Sequence, residues 1–168
     1  MQFITEWKEE YATDLAYALN NLNIQNNLRD GLPFPYTEDD ALCFIKSMLS
    51  ADKDSTFAFA IIYKGKCIGS IGAFRQSNIH FRTAEVGYYI AEEYWGRGIV
   101  TAALKELCDY IFENTDIIRL YAEPFTYNKG SCKVLEKAGF TREGVLKSNA
   151  VKCGVVLDMA LYAKVKGE

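Results

Sequence analysis

Hydrophobic and polar positions along the chain alternate between two spacings, and the switches between them mark out the elements. Phe3, Thr5 and Trp7 alternate with Ile4 and Glu6, which predicts a short first strand. A helix over residues 10–20 follows, with Leu15, Ala18, Leu19 and Leu22 on one face. Residues 26–36 contain Asp30-Gly31, Pro33 and Pro35 and are predicted as a loop, whose Phe34 and Tyr36 either line a binding site or plug the core. Thr37 then opens a second helix as its cap, with Glu38, Asp39 and Asp40 in the first turn and Ala41, Phe44, Ile45, Met48 and Leu49 as the buried stripe. Residues 56–63 and 66–74 form a predicted hairpin turned at Lys64-Gly65, in which Gly69 and Gly72 mark a bulge or a close backbone approach.

The centre of the chain predicts strand, glycine turn, helix. Residues 84–90 are strand-like, Gly96-Arg97-Gly98 turn the chain, and Leu104, Leu107, Cys108, Ile111 and Phe112 recur at helical spacing. A strand over 117–123 ends at Pro124, and a short helix from Asn128 buries Val134, Leu135 and Ala138 before stopping at Gly139. Residues 140–148 and 151–163 are predicted as a last hairpin joined near Asn149-Ala150. This order fits an α/β or α+β layer fold in a single domain spanning residues 1–168, without repeats or linkers.

The two central helices differ at their N-termini. The helix after Thr37 carries its own cap and acids, whereas between Gly96 and Lys105 there is no acid and Arg97 is the only charge. Its first amides are left without a side-chain partner, and their partial positive charge suits an anion. Gly96 and Gly98 would let a phosphate approach the backbone; the alternative is a tight turn that binds nothing. A nucleotide P-loop would need a Lys-Ser or Lys-Thr pair, and a dinucleotide fingerprint a third glycine where Thr101 stands.

Composition narrows the partners. With 49% hydrophobic residues in 168 the chain can bury a core, and a net charge of −3 gives no basic footprint for nucleic acid. Five cysteines without a C-x-x-C pair and a single histidine, His80, argue against a disulfide framework or a zinc site. The cysteines are expected to be buried apolar residues, and His80 to face solvent. No apolar run of about 20 residues occurs and the N-terminus reaches charge early, so a cytoplasmic protein without a membrane partner is expected.

Trp95-Gly96-Arg97-Gly98-Ile99-Val100 resembles the Q/R-x-x-G-x-G/A pyrophosphate segment of the GCN5-related N-acetyltransferases (GNAT), with Trp95 and Val100 departing from the general pattern. Such an aromatic-Trp-Gly-basic-Gly run is similar to the ribosomal-protein N-terminal acetyltransferase (RimJ/RimL-like) branch. Asn128-Lys129-Gly130-Ser131, Val134-Leu135-Glu136-Lys137-Ala138-Gly139-Phe140 and Glu143-Gly144-Val145-Leu146 resemble the same branch, so the likeness covers essentially the whole chain.

The resemblance implies a GNAT fold, a mixed, mostly antiparallel sheet of about seven strands with a splayed central pair and flanking helices. It implies acetyl-CoA as co-substrate, no metal, and a primary-amine acceptor, either a peptide N-terminus or a small amine. Tyr89 and Ile90 would meet the pantetheine through their backbone. The turn of Trp95, Gly96, Arg97, Gly98, Ile99, Val100 and Thr101 would hold the pyrophosphate, Asn128 would bond the pantetheine arm, and Ser131 would lie near the sulfur. Glu123, five residues before Asn128, is the candidate base and Glu85 its rival; the tyrosine that related enzymes place seven residues after the Asn is Leu135 here, which leaves Ser131 or water as the acid. Monomer and homodimer are both open. The competing classes are a non-catalytic acyl-CoA-binding or sensing module and a nucleotide-binding regulator.

Overall fold

The computed structural model describes residues 2–167. In chain order its elements are β1 (Ile4–Thr5), α1 (Ala12–Leu19), α2 (Leu22–Gln25), α3 (Glu38–Ser50), β2 (Thr56–Tyr63), β3 (Lys66–Arg75), β4 (Thr83–Ile90), α4 (Ile99–Asn114), β5 (Arg119–Ala122), α5 (Lys129–Lys137), β6 (Thr141–Lys152) and β7 (Val155–Val165). The strands make one seven-stranded sheet in the order β1-β2-β3-β4-β5-β7-β6, antiparallel throughout except between β4 and β5.

The parallel pair follows from connectivity, because the crossover through α4 returns the chain in the same direction. Its pairing is short, covering only Thr83–Glu85 of β4 against Arg119–Tyr121 of β5. Beyond Glu85 the two strands separate, as the family likeness implied.

Alternation along β4 divides the molecule. Ala84, Val86 and Ile90 are buried with Ala103, Leu104, Leu107, Cys108 and Ile111 of α4 and with Leu135 of α5. Burying each of these Leu and Ile side chains is worth roughly 1.5–3 kcal/mol, which fixes α4 against the sheet. A second cluster on α1 and α3 holds Leu15, Leu19, Ile45 and Tyr36, with Trp7 edge-on to Phe44 at 5.4 Å. Tyr36 therefore plugs the core, while Phe34 of the same loop is 54% exposed. Gly69 has no room for a side chain: a Cβ there would stand 2.1 Å from the Tyr89 carbonyl oxygen. The neighbouring Ile68 is bulged out of the β2–β3 register, so both expectations for this glycine apply.

Several expectations are corrected. The last hairpin turns at Cys153-Gly154, both at positive φ (50° and 78°), and not near Asn149-Ala150, where β6 carries an irregularity against β7. A turn of this kind needs the left-handed backbone that glycine supplies, and the bulge between Leu146 and Ala150 imitates a break in the hydrophobic pattern. Leu22 and Leu49 are exposed (51% and 42%) because α1 ends at Leu19 and α3 buries only its Ala41–Ile45 side fully. Cys43 and Cys153 are exposed, whereas Cys67, Cys108 and Cys132 are buried as expected. Among the described residues no helix is long and apolar enough to cross a membrane.

Candidate active site

The helix N-termini bear out the contrast in capping. Thr37 accepts from the Asp40 amide while the Asp40 carboxylate accepts from Thr37, a closed capping box. At α4 the cap is Gly98, at φ 77°, with no side-chain hydrogen bond and no acid in the first turn. Gly96 is also left-handed, at φ 73°, and a Cβ on either glycine would meet nothing within 4 Å. These glycines are needed for their backbone angles, and the space before them is open to a ligand. Trp95 ties this turn to the sheet, its indole N–H donating to the Ile90 carbonyl at 3.0 Å.

The turn opens into a groove of about 700 Å³ between the separated ends of β4 and β5. Every residue of the predicted cofactor set lines it except Arg97, whose guanidinium lies over the Tyr94 ring at 5.4 Å. Along its middle runs the free edge of β4. The Ala91 amide donates to Ile68 and the Gln76 amide to Thr83, so odd-numbered β4 residues face β3 and even-numbered ones face away. The backbone groups on the groove side therefore belong to Tyr88 and Ile90, and the Tyr89 backbone is turned to β3.

Asn128 caps α5 by accepting from the Ser131 amide at 3.1 Å, which commits its Oδ1 and leaves Nδ2 as the donor for a ligand. Ser131 Oγ lies 2.8 Å from the Tyr88 hydroxyl. Burial pushes that phenol far up, with the Ser131 contact opposing, so Tyr88 stays protonated at any ordinary pH. Sequence reasoning missed Tyr88, because nothing local ties it to a serine 43 residues away. It also missed Lys129, Lys133 and Lys137, which line the groove as one exposed stripe of α5. Their i, i+4, i+8 spacing was a readable signal.

The opposite wall is α2 and the residues after it, Ile24, Asn27 and Leu28. Asn21 and Asn23 hold this wall to the Glu92 carboxylate at 2.7 and 3.0 Å, and the Tyr127 hydroxyl donates across the groove to the Asn26 carbonyl at 3.0 Å. Buried Gln25 braces it from behind, its Nε2 donating to the Leu19 and Pro33 carbonyls.

Neither candidate carboxylate lines the groove. Glu123 directly precedes Pro124, which does, and Glu85 pairs with Arg29 from the 26–36 loop. Because Glu85 is in register with Tyr121, Glu123 two residues on shares its face of the sheet. Burial chiefly, then the neighbouring Glu85 charge, raises the Glu123 carboxyl above its ordinary value, with Arg29 opposing. Among the described residues no cluster of three or more His, Cys, Asp or Glu side chains is arranged for a metal.

A glycine turn before an uncapped helix N-terminus, a free strand edge and a capping asparagine thus meet in one groove. Residues 3–141 match the family described as the acetyltransferase (GNAT) domain, and the chain belongs to that family. It is 35% identical over 99 residues to the uncharacterized N-acetyltransferase YoaA of Bacillus subtilis (strain 168), covering 59% of this chain and 55% of the relative. To the ribosomal-protein-serine acetyltransferase of Escherichia coli (strain K12) it is 30% identical over 107 residues, covering 64% and 59%. The matches take in less than two thirds of these curated relatives' own lengths. The solved structure of the microcin C7 self-immunity acetyltransferase MccE, in complex with acetyl-CoA and AMP, is 29% identical with a TM-score of 0.80, covering 96% of this chain and 91% of that one.

Proposed function

We propose that the protein is an N-acetyltransferase that takes an acetyl group from acetyl-CoA and gives it to a primary amine, a peptide N-terminus or a small amine. The observation that carries this is the uncapped N-terminus of α4, which opens into a groove continuous with the free edge of β4. The amides from Gly96 to Thr101 hold the diphosphate, and Lys129, Lys133 and Lys137 supply positive charge along the same wall. Arg97, turned onto Tyr94, adds long-range charge to this end.

The Tyr88 and Ile90 backbone and Asn128 Nδ2 align the pantetheine arm, which sets the thioester beside Ser131. The Ile90 N–H, on the open side of β4, is the donor for the oxyanion that forms when the amine attacks. Glu123, through water, takes the proton that the ammonium must lose, and Glu85, engaged with Arg29, supports the charge balance of that face. Ser131 is the donor to the departing thiolate sulfur. The Tyr88 hydroxyl, 2.8 Å from Ser131 Oγ, orients the serine, and with Tyr88 as the donor of that pair the serine hydrogen is free for the sulfur.

A thiol-release assay with acetyl-CoA tests the reading against N-terminal Ser and Ala peptides and small amines including spermidine. The expected result is acceptor-dependent release that slows by about tenfold in Ser131→Ala. Binding of acetyl-CoA with no release for any amine would leave a non-catalytic acyl-CoA module.

A further inference from the structure

β4 is the central strand of the sheet, and its residues are buried or half-buried except Gly87, which is exposed. Neither usual reason for a glycine holds there. The backbone is extended, so any residue could adopt it, and among the described residues nothing lies within 4 Å of where a Cβ would stand. Gly69, crowded by the Tyr89 carbonyl, and Gly98, at φ 77°, each meet one of those reasons. A glycine inside a strand weakens it, and where neither angle nor crowding demands one, it marks a place that something else approaches.

The space at Gly87 lies where the proposed reaction occurs. The β4–β5 register, Glu85 with Tyr121, would set Gly87 opposite Glu123 if it continued two residues further, but the strands have separated there. Gly87 shares its sheet face with Glu85, whereas the next residue, Tyr88, points to the other face and reaches Ser131. Gly87 therefore borders the gap between Glu123 and the position beside Ser131 proposed for the thioester. On the β3 side the space is flanked by Phe74, whose ring lies over Gly72, the cross-strand partner of Gly87. That ring is 41% exposed, so this face is open to solvent.

We propose that the vacancy at Gly87 admits the acceptor, and that it fits an amine on a branched carbon, the α-amine of a peptide N-terminus, in preference to the unbranched end of a polyamine. This rests on the acetyltransferase reading and deepens it. An amine held between Glu123 and the thioester has its carbon beside position 87. A CH2 group needs little room there, whereas an α-carbon carries both a side chain and a carbonyl, which take the volume that a Cβ would fill. The open face lets the rest of the peptide leave past Phe74.

Gly87→Ala and Gly87→Val are compared with wild type in thermal melting, acetyl-CoA calorimetry and thiol release, with N-terminal Ser and Ala peptides and with spermidine. The Tm should be unchanged or higher, because a strand favours either residue over glycine, and the acetyl-CoA Kd unchanged. For the peptides kcat/KM should fall about tenfold in Gly87→Ala and about a hundredfold in Gly87→Val. In Gly87→Val the loss for spermidine should be at least about tenfold smaller. Unchanged peptide kcat/KM in both variants would overturn the proposal, as would equal losses for peptides and spermidine. So would an acetyl-CoA Kd that weakens in step, which would give the space to the cofactor, or a lower Tm, which would give the glycine a role in the fold. Wild-type turnover of spermidine with none of the peptides would overturn the acceptor class. Wild-type protein that does not bind acetyl-CoA, or binds it without release for any amine, would instead count against the acetyltransferase reading.

Discussion

Replacing Gly98 with Asp should raise the dissociation constant for acetyl-CoA by about a hundredfold or more while leaving the free protein's stability within about 1 kcal/mol of wild type. Asp is among the few residues that enter the left-handed region at modest cost, which the φ of 77° at this position requires. A Cβ there meets nothing within 4 Å. The Asp carboxylate would stand beside the first amides of α4 and gain from the helix field, which offsets part of the backbone cost. The same carboxylate would lie within a few ångströms of the diphosphate proposed to bind there and repel it. Gly98→Asn adds a side chain of the same size without the charge and should cost less, about tenfold. Calorimetry gives the Kd values and thermal melts the stabilities. Equal affinity of Gly98→Asp and wild type would show that the α4 N-terminus does not hold the phosphates.

Replacing Glu123 with Gln should reduce turnover by about a hundredfold below pH 7 and by less than about fivefold above pH 9, with acetyl-CoA affinity unchanged. The direction follows from the two titrating partners. A base acts as its carboxylate, so the raised Glu123 carboxyl places the acid limb of the wild-type profile above the usual carboxylate range, and activity falls as pH drops through it. Without the base, the reaction depends on amine that is already neutral, scarce well below the α-amino pKa of about 8 and plentiful above it. The variant should therefore climb with slope one up to that region, where the two profiles meet. Parallel profiles at all pH values would show that Glu123 acts only on structure, and would move attention to Glu85.

Much of this site was legible because its signals are local. The stripe of Leu104, Leu107, Cys108 and Ile111 marks α4, the absence of any acid from Gly96 to Lys105 marks its open end, and Thr37 with Asp40 marks the closed end of α3. The Lys64-Gly65 turn of the β2–β3 hairpin has the same local character. What escaped depends on distant partners or on backbone detail. The Tyr88–Ser131 contact joins β4 to α5, and the wall at α2 is fastened by Glu92 and Tyr127 from elsewhere in the chain. Which residues present their backbone to the groove turns on the parity of the β3–β4 ladder, which side-chain alternation does not distinguish; hence the edge belongs to Tyr88 and Ile90 and not to Tyr89. Four-residue α2 is too short for a helical period to show, and its Asn21 cap sits among other asparagines that read equally well as loop.

Titrating the unaltered protein with acetyl-CoA in a calorimeter bears most directly on the groove. Saturable one-to-one binding is expected, in the micromolar range or tighter, weakening as salt screens the phosphates, with dephospho forms and free pantetheine binding progressively less well. No heat of binding, or equal affinity for acetyl-CoA and a pantetheine without phosphates, would contradict the assignment of the open α4 N-terminus to the diphosphate.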